Sequence, residues 1–322
     1  MDRRNFMIGA GAAAVGCLAP GRPALAETNK GPNPTIDNPD PRRALVLWYS
    51  QTGHTARMGR LAAKTLEAEG LSVDAGDLRK IDPASTAQYD LLLFGSPVFY
   101  RDLPENVEQW LTRLPDLRGI PAASWVTCGG PGFNEDYAAC KILQLAAAKG
   151  AAPVGRGLFH NLNTFAPFWS LGAVNWILHY RHLPDEKSFE QARSFARQVL
   201  NQARTACPVP VEPEFSILSH FRWVNEKGWL RRSIGKHEIN REKCTGCGAC
   251  ERTCPVGAIN LDQFTIDRNA CITCLGCLNN CPADAVDMEI LGQRITGFVA
   301  FRREHDIEIQ EPPELSSETM TI

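Results

Sequence analysis

The chain lacks any long uncharged apolar run. None of its 322 residues starts a stretch of about 18 such residues, the length a membrane-spanning helix needs. It also lacks a charge excess: 34 lysines and arginines face 36 acidic residues, a formal charge of −2. Binding through nucleic-acid phosphates requires a basic surplus, so nucleic acid is excluded as a partner. With 44% hydrophobic and 22% charged residues, disorder is excluded as well. No Walker lysine follows its glycine turns, which argues against a nucleoside triphosphate. No serine–histidine–acid set or acid–base pair stands out; His54, His160, His179 and His182 read as surface or core histidines rather than catalysts. What the chain has in excess is cysteine, 12 in all, with eight crowded into residues 244–281. A disulfide framework suits a short secreted chain, not one this long with its cysteines so clustered.

The first residues read as a signal. Arg3-Arg4-Asn5-Phe6 is followed by a small apolar segment, Gly9 to Ala19, and by an A-x-A site, Ala24-Leu25-Ala26. That order is a secretory signal over 1–26, and the arginine pair resembles the twin-arginine type. The twin-arginine route carries folded proteins, which suits a chain assembled around a cofactor, so a periplasmic or otherwise exported location is expected. The rival readings are an ordinary Sec signal and lipidation at Cys17, where Ala14 replaces the usual leucine. Residues 27–43, with Pro32, Pro34, Pro39 and Pro41, read as a linker. Residues 292–322 read as a C-terminal tail, loose from Gln310 onward.

Residues 44–206 alternate strand and helix signals. Ala44 to Tyr49 is a continuous apolar run, as a buried parallel strand requires. Ser50-Gln51-Thr52-Gly53-His54-Thr55 follows, then a helical spacing from Ala56 to Glu69. Further strands are expected at Leu71–Val73, Tyr89–Gly95, Ala122–Cys128 and Ala152–Phe159. Helices are expected at Pro104–Leu114, Asn134–Lys149 and Glu186–Arg204. This alternation predicts a doubly wound parallel α/β sheet with its ligand at the strands' C-terminal ends. The loops at 50–55, 96–101 and 128–133 share that rim. In the first, unpaired N–H groups at a helix start, with the hydroxyls of Ser50, Thr52 and Thr55, form an anion site, and Gly53 lets the backbone curl close.

The hexapeptide matches the S/T-x-T-G-x-T phosphate loop of flavodoxins, and the chain over 44–206 resembles that family. The resemblance implies FMN. Its phosphate would lie in the loop of Ser50, Thr52, Gly53, His54 and Thr55. Its ring would lie between Pro97, Val98, Phe99 and Tyr100 on one side and Gly129, Gly130 and Phe133 on the other. One of Phe99, Tyr100 and Phe133 is expected to stack on the ring. Residues 160–183 depart from a minimal flavodoxin, with Phe165, Phe168, Trp169, Trp176, Ile177 and Leu178 in an aromatic-rich insertion. It has several readings: a flavin cover, a membrane-surface contact, a dock for the second domain, or a local core, the last two preferred. Residues 207–235 read as a linker.

Residues 236–291 hold two runs of the form C-x2-C-x2-C-x3-C-P, beginning at Cys244 and Cys271, 27 residues apart. This repeat is the bacterial ferredoxin signature for two [4Fe–4S] clusters, and in that signature each run's fourth cysteine serves the other cluster. One cluster would take Cys244, Cys247, Cys250 and Cys281, the other Cys271, Cys274, Cys277 and Cys254. Zinc and disulfides are weaker readings, because two complete runs are more demanding than a zinc site and are poor geometry for four bridges. Cys128, Cys140 and Cys207 read as plain thiols.

The whole is similar to flavodoxin–ferredoxin fusion proteins of the EFR1 type: a flavodoxin-like sheet followed by a small α+β two-cluster ferredoxin domain. The resemblance implies an exported electron-transfer protein coupling FMN to two clusters. Its partner would be a redox protein or a small-molecule electron donor or acceptor. The rivals are a flavin-dependent reductase of a quinone or other small molecule, with the clusters as an internal wire, and a flavodoxin fold that has lost its flavin.

Overall fold

The computed structural model describes residues 35–129, 135–212 and 226–315. The expected signal, Cys17, Gly130 and Phe133 lie outside the described residues. In chain order the first half runs β1 (Arg43–Trp48), α1 (His54–Ala68), β2 (Ser72–Asp77), β3 (Leu91–Pro97), α2 (Glu105–Thr112), β4 (Pro121–Gly129), α3 (Glu135–Ala147) and β5 (Ala152–Asn161). Two short helices, α4 (Pro167–Ser170) and α5 (Val174–His179), lead into α6 (Glu186–Arg204). Every strand pair in the sheet is parallel, in the order β2-β1-β3-β4-β5. That is the flavodoxin-type doubly wound order.

The apolar run of β1 explains why that strand lies inside the sheet. Successive side chains of a strand point to opposite faces. Ala44, Val46 and Trp48 accordingly join the core under α1 and α6, while Leu45, Leu47 and Tyr49 join the core under α2 and α3. The second strand is displaced from its expected position at Leu71–Val73. It runs over Ser72–Asp77, largely exposed, because it is the sheet edge and needs no apolar face. The long helix α6 has the expected bounds, fixed by a capping box between Asp185 and Ser188.

The second half runs α7 (Glu226–Ser233), β6 (Ile234–Ile239), α8 (Ala249–Thr253), β7 (Ile259–Asn260), β8 (Thr265–Ile266), α9 (Gly276–Asn279), β9 (Val286–Ile290), β10 (Gln293–Arg294) and α10 (Phe298–Glu304). β6, β9 and β10 form one antiparallel sheet, and β7 and β8 a hairpin.

Two expectations are corrected. Residues 292–315 are not a tail. Phe298 and Phe301 are buried, and Glu311 reaches back to pair with the buried Arg57 at 2.5 Å. The two halves are not separate units: all described residues belong to one compact unit, and residues 213–225 of the expected linker lie outside the described residues. Leu162, Ala166, Trp169 and Ile177 of the insertion share a core with Met288, Phe298 and Phe301. Trp169 stacks on Phe301 with centroids 4.5 Å apart, and its Nε1 donates to the Thr296 carbonyl at 2.8 Å. Of the readings of the insertion, docking is the one these contacts carry.

Candidate flavin pocket and cluster cavities

A cavity of about 420 Å³ opens at the C-terminal ends of the parallel strands. Ser50, Thr52, His54, Thr55, Pro97, Val98, Phe99, Tyr100 and Gly129 line it, so the three loops meet as the strand order requires. Gly53 does not line it but caps α1, at φ 91°, a left-handed conformation that glycine adopts without strain.

Polar groups at the floor are buried and unpaired. Ser50 Oγ, His54 Nε2 and Asn161 Oδ1 have no hydrogen-bond partner. The Nδ1 of His54 lies 3.4 Å from Arg57 Nη1. Arginine only donates, so Nδ1 accepts and Nε2 carries the hydrogen, with the Asn161 side chain nearby. Burial, then the cations Arg57 and Arg302, hold His54 well below its ordinary pKa, with the Asn161 side chain pulling the other way. Thr55 differs from expectation: its hydroxyl is 2.7 Å from that of Thr127, a partner within the protein. The donors among these groups, the Ser50 hydroxyl and the His54 N–H, stand beside an α-helix start and fit a phosphate group, whereas Asn161 Oδ1 can only accept.

The aromatic residues divide. Phe99 packs edge-on against Tyr49, with centroids 6.3 Å apart. The Tyr100 hydroxyl donates to the Thr273 carbonyl at 2.6 Å. Phe165 and Phe168 of the insertion also line the cavity. Asn161, Asn163 and Thr164, at the end of β5, complete the wall. Residue patterns missed these because the fifth strand was ended at Phe159. Its end lies on the same rim as the others, and the same rule applies to it.

The eight clustered cysteines line two small cavities. Cys254, Cys271, Cys274 and Cys277 surround the inner one. Cys244, Cys247, Cys250 and Cys281 surround the outer one. Each run's fourth cysteine thus stands with the other run. No disulfide joins any of them. Main-chain N–H groups point at the sulfurs: Ala285 to Cys281 at 3.1 Å, Ala258 to Cys254 at 3.2 Å. Burial pushes the Cys274 thiol up to about 12 and the Cys250 thiol up to about 11. These are neutral thiols until metal displaces their protons. Spaced free thiols with aimed N–H donors fit a cluster with one thiolate per iron.

Cys274 and Leu275 line the flavin-type cavity as well as the inner cysteine cavity, and so form the wall between them. The wall is tied on both sides. Gln51 Nε2 donates to the Cys274 carbonyl. Asn279 Nδ2 donates to Gln51 Oε1 at 2.9 Å and to the Thr164 carbonyl at 3.0 Å. Asn280 Nδ2 donates to the Gln51 carbonyl at 3.0 Å. None of these partners was legible in the sequence.

The comparisons with known proteins fall on the two halves separately. Residues 237–260 match the family model of the 4Fe-4S binding domain. An uncharacterised protein of Methanocaldococcus jannaschii is 24% identical over 158 residues, covering 49% of this chain and 98% of that protein. Among solved structures, a Streptococcus flavodoxin aligns with 49% of this chain and 97% of its own, at 16% identity and a TM-score of 0.39. Flavodoxin 1 of Bacillus cereus aligns over the same shares at 17% identity and a TM-score of 0.38. The flavodoxin-like fold of the first half stands on its own strand order.

Proposed function

We propose that this chain transfers electrons between an FMN held at the rim of the parallel sheet and two [4Fe–4S] clusters. The observation that carries the reading is the shared wall: Cys274 borders both the flavin-type cavity and the inner cysteine cavity. When bound, FMN exchanges electrons in pairs or singly and each cluster exchanges one.

The chain's own residues have distinct tasks. Ser50, His54 and the first turn of α1 would hold the phosphate. Phe165, Phe168 and Leu230 supply apolar lining to the cavity. Gln51, Asn279, Asn280 and Tyr100 hold the cysteine loop at a fixed position against the pocket, and no mobile docking step intervenes. Cys247 is exposed, so the outer cluster offers the natural edge for a redox partner.

Anaerobically purified protein should carry about eight irons, by the stoichiometry of two clusters, and one FMN. Riboflavin, which lacks the phosphate, should bind far more weakly than FMN. Zinc in place of iron, or equal affinity for the two flavins, would sink the reading. We further propose export through the arginine pair. Replacing Arg3 and Arg4 by lysine should leave the protein inside the cell, and unchanged export would return the signal to the Sec class.

A further inference from the structure

The two cysteine runs are a duplication with an interval of 27 residues, and the structure keeps that interval around the two cavities. Ile239 lines the outer cavity and Ile266 the inner; Leu261 and Met288 correspond in the same way. The main-chain donors are duplicated too. Gly246 and Thr273 point at Cys244 and Cys271 at 3.5 and 3.4 Å, and Ala285 and Ala258 form the equivalent pair on Cys281 and Cys254.

The correspondence breaks in the main chain at Gly276, whose N–H points at Cys274 at 3.5 Å, and in a side chain at one place. Seven residues before Cys244 stands His237; seven before Cys271 stands Phe264. His237 is buried on β6 and lines the inner cavity, and its Nε2 lies 3.5 Å from Cys277 Sγ. Phe264 has no hydrogen to donate, and its ring faces the guanidinium of Arg241 at 4.9 Å. Among the described residues, the sulfurs of the outer set take only main-chain donors.

We infer that His237 is a positioning residue that donates its Nε2–H to the Cys277 thiolate and so raises the reduction potential of the inner cluster relative to the outer. This rests on the two-cluster reading above. A ligating cysteine has no proton, so the shared hydrogen belongs to the imidazole. Reduction adds one electron and no proton, and part of the added charge falls on the sulfurs. A hydrogen bond to sulfur is therefore stronger in the reduced form and stabilises it. The duplicated main-chain donors act on both halves and cannot set them apart. Burial works against the inner cluster, whose added charge is the less hydrated, while Cys247 of the outer set is exposed. His237 offsets that burial on the side that borders the flavin pocket. An electron entering at Cys247 is drawn inward, the outer cluster becoming oxidised as the inner is reduced.

The test is an EPR-monitored redox titration of the full-length holoprotein. His237→Phe, which copies the residue of the other half, should shift the inner cluster's potential downward and leave the outer one in place. His237→Gln, which keeps an N–H donor, should restore part of the shift. A His237→Phe protein with full iron and unmoved potentials, or with both potentials shifted equally, would overturn the inference and leave the two-cluster reading standing. A wild-type protein with fewer than two cluster signals would overturn both. A measurement on the wild type alone also decides the point. With 15N-labelled histidine, pulsed EPR of the reduced inner cluster should show a nitrogen coupling, and its absence would rule out the bond.

Discussion

Ser50 Oγ is buried with no partner, and an unpaired buried hydroxyl costs about 1–3 kcal/mol. Ser50→Ala removes that cost together with a donor to the cavity. The flavin-free variant should therefore melt at or above the wild-type temperature, while FMN affinity falls about tenfold, the worth of one bond to a charged acceptor. Calorimetric titration and thermal melts together check this; lost stability with unchanged affinity would make Ser50 structural. His54 gives a prediction in pH. Burial first, then Arg57 and Arg302, hold its pKa well below the ordinary value, and the nearby ring of Phe298 adds no charge. In the unfolded chain it titrates near about 6.5. Above that pH neither state carries the proton, and stability does not depend on this ring. Below it only the unfolded chain binds the proton, so stability falls as pH falls, by at most about 1.36 kcal/mol per unit. Melts of flavin-free protein between about pH 7 and 5 should show the loss, and His54→Asn should remove one proton's share of it. His237, held down to about 4 by burial and Arg268, keeps its own share in cluster-free protein. An unchanged slope in His54→Asn would mean that His54 is not the buried neutral ring described.

At the scale of elements, α10 and the insertion stand or fall together. Trp169 bridges them through its stack on Phe301 and its bond to the Thr296 carbonyl. The backbone allows no slack nearby, since a side chain at Gly297 would lie 2.1 Å from the Leu278 carbonyl oxygen. Trp169→Ala should cost about 3–5 kcal/mol, the range for removing a large buried aromatic. Its measure is the denaturant midpoint together with earlier proteolysis of residues 292–315; cleavage at the wild-type rate would contradict the docking role. These are the elements hardest to read in the sequence. The strands of the sheet were legible because an apolar run such as Ala44 to Tyr49 reports its own burial, and the cysteine runs because ligand spacing is local. Phe298 and Phe301 sit among arginines and glutamates on a helix of only seven residues, too short to impose a period on the pattern. The bounds of the edge strand β2 were misplaced for the converse reason: beyond Val73 its side chains are polar, because the strand is largely exposed. Gln51 stands between two hydroxyl residues, Ser50 and Thr52. Its partners, Cys274 and Asn279, lie more than 200 residues away, and nothing in the local sequence points to them.

At the scale of the whole molecule, the wall between pocket and cluster cavity makes the two candidate sites unequal in their dependence on each other. Cys247 belongs to the outer cavity, is exposed, and touches nothing in the flavin-type pocket. Cys274 belongs to the inner cavity and is also part of the pocket lining, with its carbonyl held by Gln51 of the phosphate loop. Each substitution to serine removes one thiolate, and on the two-cluster reading each should halve the iron, from about eight to about four. Their effects on flavin should differ. Cys247→Ser should bind FMN as the wild type does, because no atom of its loop reaches the pocket. Cys274→Ser should lose the inner cluster and with it the order of the loop at 271–280, which would free Gln51, Asn279 and the Tyr100 hydroxyl from their partners at once. The loop would then have to be ordered as FMN binds, at about 1–2 kcal/mol of backbone entropy per residue fixed, only partly offset by the hydrogen bonds regained. FMN affinity in Cys274→Ser should fall by at least tenfold. Paired iron analysis and flavin titration of the two variants check this directly. Equal FMN affinity in both would mean that the wall is a contact without coupling, and that the parallel-sheet half binds its flavin independently of the cysteine loops packed against it.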